Sequence, residues 1–255
     1  TAKATDAAGN TGPASSAFAL TVDTAAPNAP AITAYNDNVG TLTGDQLAGT
    51  STDDTTPTLK GTAEANSTVS VYSGATLLGT TTADASGNWT YTPSALAQGA
   101  YSFTAKATDA AGNASASSAA FSLTVDTTAP AAPNPYVSAN ANNDGYINIA
   151  EFNNYYWSAL RVGLPAGTQV GDKVTYWAVN AGDWQGTPEL QTASSYTLTQ
   201  TDITRGYITV GDANSRPVDW SKPVVLNAYI TDAAGNQGAT ATNTTIWDKT
   251  APNAP

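Results

Sequence analysis

The sequence predicts an all-β fold of tandem β-sandwich modules in a linear array. Three observations carry this. The 255 residues hold 41 Thr against 13 Leu, with 21 Gly and 14 Pro, a composition of strands and turns rather than helices. The stretch Thr1 to Asn10 recurs identically at 104–113 and in weaker form at 227–236. Short runs of alternating apolar and polar residues, divided by turn clusters, fill the intervals.

The repeats set the boundaries. Each copy of the first element is followed by a second: Val22-Asp23 to Pro27, Val125-Asp126 to Pro130, and Trp247-Asp248 to Pro252. Asp23 to Asp126 spans 103 residues and Asp126 to Asp248 spans 122. Self-similarity at such a period marks an array of modules. Residues 1–26 read as the C-terminal hairpin of a preceding module. Residues 27–129 and 130–250 read as whole modules, and 251–255 as the start of the next linker. The chain looks like a window of something longer, and no basic and apolar leader opens it. Two strands are marginal alone, so the 1–26 hairpin is expected to be stapled to module 27–129 or to a neighbouring chain.

Within 27–129 the strands are expected in order near Ala31–Tyr35, Thr58–Thr62, Thr68–Ser73, Thr76–Thr82, Asn88–Thr92, Tyr101–Thr108 and Ala119–Val125. Tyr101, Phe103, Ala105 and Ala107 alternate with polar residues, as do Phe121, Leu123 and Val125. About seven strands in roughly 100 residues is the size of an immunoglobulin-like sandwich. With no Cys, no disulfide bridges its sheets. Absent Cys and His also exclude Ser-His and Cys-His nucleophile systems and thiolate or imidazole metal sites. The net charge of -11 opposes non-specific nucleic-acid binding, and no apolar run approaches a membrane span.

Asp outnumbers Glu 17 to 3, which points to turns, caps and oxygen-ligand metal sites. The strand order brings the 63–66 loop, the Ala83–Gly87 turn and the Asp109–Asn113 turn to the pole that receives the Asp23 linker. Asp23, Glu64, Asp84 and Asp109 are then expected to crowd that junction, where Lys60 and Lys106 are the module's whole basic complement. A calcium ion suits such irregular oxygen-rich loops better than magnesium. The alternative is that each Asp caps its own turn. Asp53 and Asp54 are expected at the far pole near Asp126.

The second module holds a twelve-position calcium-loop pattern. Asn140, Asn142 and Asp144 fall at positions 1, 3 and 5, Gly145 at the sharp turn, the Tyr146 carbonyl at 7, Asn148 at 9 and Glu151 at 12. Position 1 is Asn rather than Asp, and no helix pair flanks the loop, so an Asn-Asp-Gly turn without an ion is the competing reading. The module is also aromatic-rich: Tyr155-Tyr156-Trp157, Tyr176-Trp177, Trp184, Trp220 and Trp247 form either its core or a sugar-stacking platform. Apolar residues lie on both faces of 174–179, which leaves its outward face unassigned.

The segments FTAKATDAAGN, VDTTAP, GTAEANSTVSVY and SGNWTYTP resemble bacterial Ig-like modules of giant type I-secreted RTX adhesins of Gram-negative bacteria. Asn142 to Asn148 with Glu151 looks like the NNDGYIN…E segment of a related module type. The resemblance implies an extracellular filament on a bacterial surface, calcium-stiffened junctions and a role in attachment or biofilm. By the same resemblance, the linker acids Asp23, Asp126 and Asp248 and the turn acids Asp6, Asp109 and Asp232 are the junction ligands to test. The expected function is an extender that holds an adhesive tip away from the cell. Its partners would be neighbouring modules, with no nucleic acid and no membrane insertion. The alternative is that module 130–250 binds a glycan or host-surface polymer. An enzyme is the weakest reading, because each Asp sits in a turn with a simpler explanation.

Overall fold

The computed structural model describes residues 1–137, 146–147, 160–180, 193–210 and 223–247. In the first module the strands are β1 (Ala31–Asp37), β2 (Gly44–Gln46), β3 (Ser51–Thr52), β4 (Thr58–Thr62), β5 (Thr68–Ser73), β6 (Thr76–Thr82), β7 (Asn88–Tyr91), β8 (Gly99–Thr108) and β9 (Phe121–Val125). They form two sheets, ordered β2-β1-β4-β7 and β3-β9-β8-β5-β6. Every strand expected there is present, and the short β2 and β3 are additional. Neither offers a run long enough to alternate visibly in sequence.

Alternation does the folding. In β9 Phe121, Leu123 and Val125 are buried while Ser122 and Thr124 are exposed. Phe103 and Ala105 of β8 join them in one core, Phe103 opposite Phe121 on the adjacent strand. Tyr35, Leu59 and Trp89 close the core from the other sheet, with Tyr35 edge-on to Phe121 at 6.3 Å. Each such side chain contributes about 1.5–3 kcal/mol on burial, so the core stands without disulfides. Gly61 is required where β4 passes Trp89, because a Cβ there would overlap the Ala31 carbonyl and the indole.

The second module repeats the plan with β10 (Asn134–Val137), β11 (Tyr146–Ile147), β12 (Leu160–Gly163), β13 (Lys173–Asn180), β14 (Ser194–Thr197), helix α1 (Gln200–Arg205), β15 (Tyr207–Thr209), β16 (Val224–Thr231) and β17 (Ala241–Trp247). Its sheets run β10-β12-β15 and β11-β17-β16-β13-β14. In both modules a two-residue strand pairs parallel with the last strand: β3 with β9, and β11 with β17. Val162, Val174, Leu198, Ile208, Leu226 and Ile230 form the second core. Tyr176 and Ala178 pack against this core. Trp177 therefore lies on the outward face of β13, where it meets Tyr229 edge-on at 6.1 Å. Trp157, Trp184 and Trp220, with Tyr155 and Tyr156, fall outside the described residues, as does the side chain of Trp247.

Residues 1–26 form a hairpin end rather than two full strands. Thr5 and Thr11 pair in an isolated bridge. Gly12 N and Ser15 N donate to the Ala4 and Ala2 carbonyls, repeating the bonds that Ser115 N and Ser118 N make to Ala107 and Ala105. Phe18, Leu20 and Val22, spaced as Phe121, Leu123 and Val125 are, stand 85%, 79% and 80% exposed. Residues 18–22 form no strand, whereas Phe121, Leu123 and Val125 belong to β9 and pack in the first core. Among the described residues no helix is long and apolar enough to cross a membrane.

Candidate junction site

One turn is built four times, at 6–10, 84–88, 109–113 and 232–236. In the Asp109 copy, Asp109 Oδ1 accepts from the backbone N–H groups of Ala111 and Asn113, and Asn113 Nδ2 donates to Asp109 Oδ2. The Asp6, Asp84 and Asp232 copies bond in the same way. Asp and Asn serve because their short polar side chains reach their own backbone. Gly at the fourth position takes a positive φ, 95° at Gly112 and 100° at Gly235. The hydrogen bonds from the partner Asn hold the Asp6, Asp84 and Asp109 carboxyls below the usual carboxylate range. Asp84 heads a full member of this set, which the repeat pattern does not reveal, since 84–88 lies between β6 and β7 rather than beside a linker.

Two of the four turns grip a linker. Asn113 Nδ2 also donates to the Asp23 carbonyl at 3.1 Å, and Asn236 Nδ2 donates to the Asp126 carbonyl at 2.8 Å. The linker Asp thus contributes its main chain to the junction. Its carboxylate stays local: Asp23 accepts from Ala25 N, and Asp126 from Thr128 N and Gln98 Nε2. At this point the 1–26 segment is tied to the first module through the Asp23 carbonyl.

The junction between the two modules adds further contacts. Asp53 N donates to the Ala234 carbonyl at 3.1 Å, and Thr41 Oγ1 donates to the Gly235 carbonyl at 2.9 Å. A Cβ on Gly235 would stand 3.2 Å from Leu42 Cβ, so the turn and the 41–42 loop already touch. Acidic groups gather here. Asp37 and Asp54 are each 1% exposed. Asp37 accepts from Val39 N and Thr52 Oγ1, and Asp54 from Thr56 N and Oγ1. Asp53 Oδ1 is buried with no partner. Burial, then the negative charges of Asp37, Asp232 and Asp54, push the Asp53 carboxyl up. Burial, with a smaller push from Asp232, raises Asp172 as well. The two ion pairs among the described residues, Lys60–Asp45 and Arg205–Asp202, do not involve this group.

Among the described residues, no three acidic side chains are grouped so as to hold a metal. Asp23, Glu64, Asp84 and Asp109 are therefore not gathered as a set at the first junction. The acids that do sense one another are Asp53, Asp37, Asp54, Asp232 and Asp172. Asp37 and Asp172 carried no signal in the sequence, since neither lies in a repeated element. Asn140, Asn142, Asp144, Asn148, Glu151 and Asp248 lie outside the described residues. Tyr146 is in β11, in parallel register with Ile246.

Residues 28–127 match a bacterial Ig-like domain family, and residues 168–249 match a second family of the same description. Exoglucanase B of Cellulomonas fimi is 38% identical over 145 residues, which is 52% of this chain and 12% of that protein's length. Among solved structures, the fibronectin(III)-like modules of Clostridium thermocellum CbhA align with a TM-score of 0.42 at 12% identity, over 80% of this chain and 91% of that one. A 1.5-MDa bacterial ice-binding adhesin aligns with a TM-score of 0.40 at 22% identity, over 97% of this chain and 73% of the other.

Proposed function

From the two bacterial Ig-like domains that this chain carries, over 28–127 and 168–249, we propose a spacer function: an extender segment of a large surface adhesin with stiffened junctions. Ig-like domains are typically non-catalytic, and no chemistry is assigned to this one. The observation that supports the reading is the Asn latch, made twice in the same way on two successive linkers. Modules that contact only their neighbours form a rod when each linker is held, and a string of beads when it is not. The segment would act outside the cell, on a bacterial surface, and hold a more distal adhesive part outward in attachment or biofilm.

Calcium would add to the stiffness. The orphaned Asp53 Oδ1, buried among other acids with no cation paired to it, fits a hard divalent ion. Asp53 is the carboxylate left to hold it, with carbonyl oxygens of the same corner, since the oxygens of Asp37, Asp54 and Asp232 already accept hydrogen bonds within the chain. Asp126 would act there through its linker. The Asn140–Glu151 loop is the second proposed calcium site. Bound calcium supplies positive charge that neutralises these carboxylates. Small-angle scattering of the chain with calcium and with chelator tests this part: identical profiles would remove the ion and leave the latch.

A second reading, a glycan- or host-polymer-binding role for the second module, is favoured by Trp177 and Tyr229 lying outside the core. Beside them Thr242 Oγ1 donates to Asn227 Oδ1, and Asn227 stands in register with Trp177. Loss of binding in Trp177→Ala on a glycan panel is its test, and a panel with no signal for the wild type would discard it.

A further inference from the structure

The outward face of the smaller sheet in the second module carries a positive charge that the described residues leave unpaired. Tyr136 on β10, Arg161 on β12 and Thr209 on β15 stand in one cross-strand row, and Asn134, Gly163 and Tyr207 in the next. Val162 and Ile208, between these rows, point into the core. The six flanking positions therefore share the opposite face. The Arg161 guanidinium lies 4.2 Å from the centre of the Tyr207 ring, and that of Arg205 lies 5.0 Å from the same centre.

The two arginines differ in their pairing. Arg205 Nη2 donates to Asp202 Oδ1 at 2.8 Å. Asp202 is buried and also accepts from Thr199 N, Thr199 Oγ1 and the Tyr196 hydroxyl, closing the cap of α1. Its charge is thus committed to the cap and to Arg205. Arg161 makes no ion pair among the described residues, and its Nε is buried without an acceptor. Among the described residues one half-buried positive charge is left over, in a chain of net charge -11. Stacking on Tyr207 orients the guanidinium and removes part of its water, so an incoming oxyanion meets a pre-set fork. Gly163 keeps the floor between the tyrosines low: a Cβ there would come within 3.5 Å of Tyr136 Cε1. Asn134 and Thr209 at the margins are exposed.

The geometry points to a binding site for an acidic saccharide on this face. Arg161 takes the carboxylate or sulfate group, the sugar ring lies over Gly163 between Tyr136 and Tyr207, and Asn134 and Thr209 meet neutral hydroxyls. The site is separate from the Trp177 face and independent of the spacer reading.

Calorimetric titration of the whole 255-residue chain, at low salt with chelator present, tests it. The probes are an oligogalacturonate, a chondroitin sulfate oligosaccharide, a neutral cello-oligosaccharide and sodium sulfate. The expected result is binding of at least one acidic oligosaccharide, weakened by added salt, with no heat from the neutral one. The comparison of the two acidic probes identifies the preferred oxyanion. Arg161→Gln is expected to lower affinity about tenfold or more, because a charge-assisted fork is lost. Arg161→Lys, which keeps the charge and the fold, is expected to fall between wild type and Arg161→Gln. Tyr136→Ala, which leaves the Arg161–Tyr207 stack itself intact, serves if Arg161→Gln does not fold. Absence of acidic-saccharide binding, equal binding of the neutral probe, or unchanged affinity in Arg161→Gln overturns the proposal. Sulfate alone binding as tightly as the oligosaccharides means an adventitious ion only, and overturns it too.

Discussion

Asn236→Ala should loosen the junction between the modules while both modules stay folded. Asn236 Nδ2 makes two bonds, one to the Asp126 carbonyl at 2.8 Å and one to Asp232 Oδ2 at 2.9 Å. The first crosses the junction and the second belongs to the turn. A neutral hydrogen bond contributes about 1 kcal/mol net, so the open fraction of the junction should rise roughly fivefold. Asn88→Ala is the built-in control. Asn88 heads the same turn geometry and bonds Asp84, but it reaches no linker. Both variants lose a turn bond, and Asn236→Ala alone loses the latch. The chain has no Cys, so spin labels on Thr90→Cys and Thr242→Cys report one distance between the modules by pulsed electron resonance, measured in chelator. Thr90 and Thr242 are both exposed. A broader distance distribution in Asn236→Ala, with Asn88→Ala matching wild type, is the expected outcome. Equal distributions in all three would refute the latch argument.

The same labels serve further tests. Asp53 and Asp172 have raised carboxyls in the folded chain. For such groups the stabilising contribution is full below the unfolded value, near 4, and is lost as pH rises through the raised folded value. Without calcium the junction should therefore tighten on acidification, and saturating calcium should flatten that dependence. The Asp6, Asp84 and Asp109 turns carry the opposite sign, since their lowered carboxyls contribute above the unfolded value and lose the contribution as pH falls. Asp53→Asn should narrow the label distances in chelator by removing one of the repelling charges, and should abolish the calcium response of the junction. In calcium titrations Glu151→Ala should remove one ion while the label distances stay as in wild type. Gly61→Ala should destabilise the first module by about 3 kcal/mol through overlap with Ala31 and Trp89, read as a lower melting temperature for that module alone.

The longer strands of the first module were legible where they alternate and end at turn clusters, whereas β2 and β3 are too short to show a period. β9 shows this best, with Phe121, Leu123 and Val125 all inward. β13 was not legible. Its inward Val174 and Tyr176 and outward Trp177 are all large and apolar, so no period of two stands out until β16 fixes the register. The capping role of Asp109 could be read from its turn. The role of Asn113 could not, because its acceptor Asp23 is 90 residues away in sequence. Asp37 was invisible for a similar reason. Its neighbours in space are Thr52 and Asp53, brought to it by the return of the chain through β3.

The equivalence of β3 and β11 joins the two acidic features that the sequence kept apart. Both are two-residue strands, and both pair parallel with the last strand of their module. In the first module β3 leads into Asp53-Asp54, which touches the next module through Ala234. In the second module β11 is Tyr146-Ile147, two residues that in sequence fall inside the pattern running from Asn140 to Glu151. In register, Ile147 opposite Trp247 matches Thr52 opposite Val125. The excess of Asp over Glu then follows from position. Short side chains close to the backbone can cap a turn, and near the linker they leave charge that the fold itself does not neutralise.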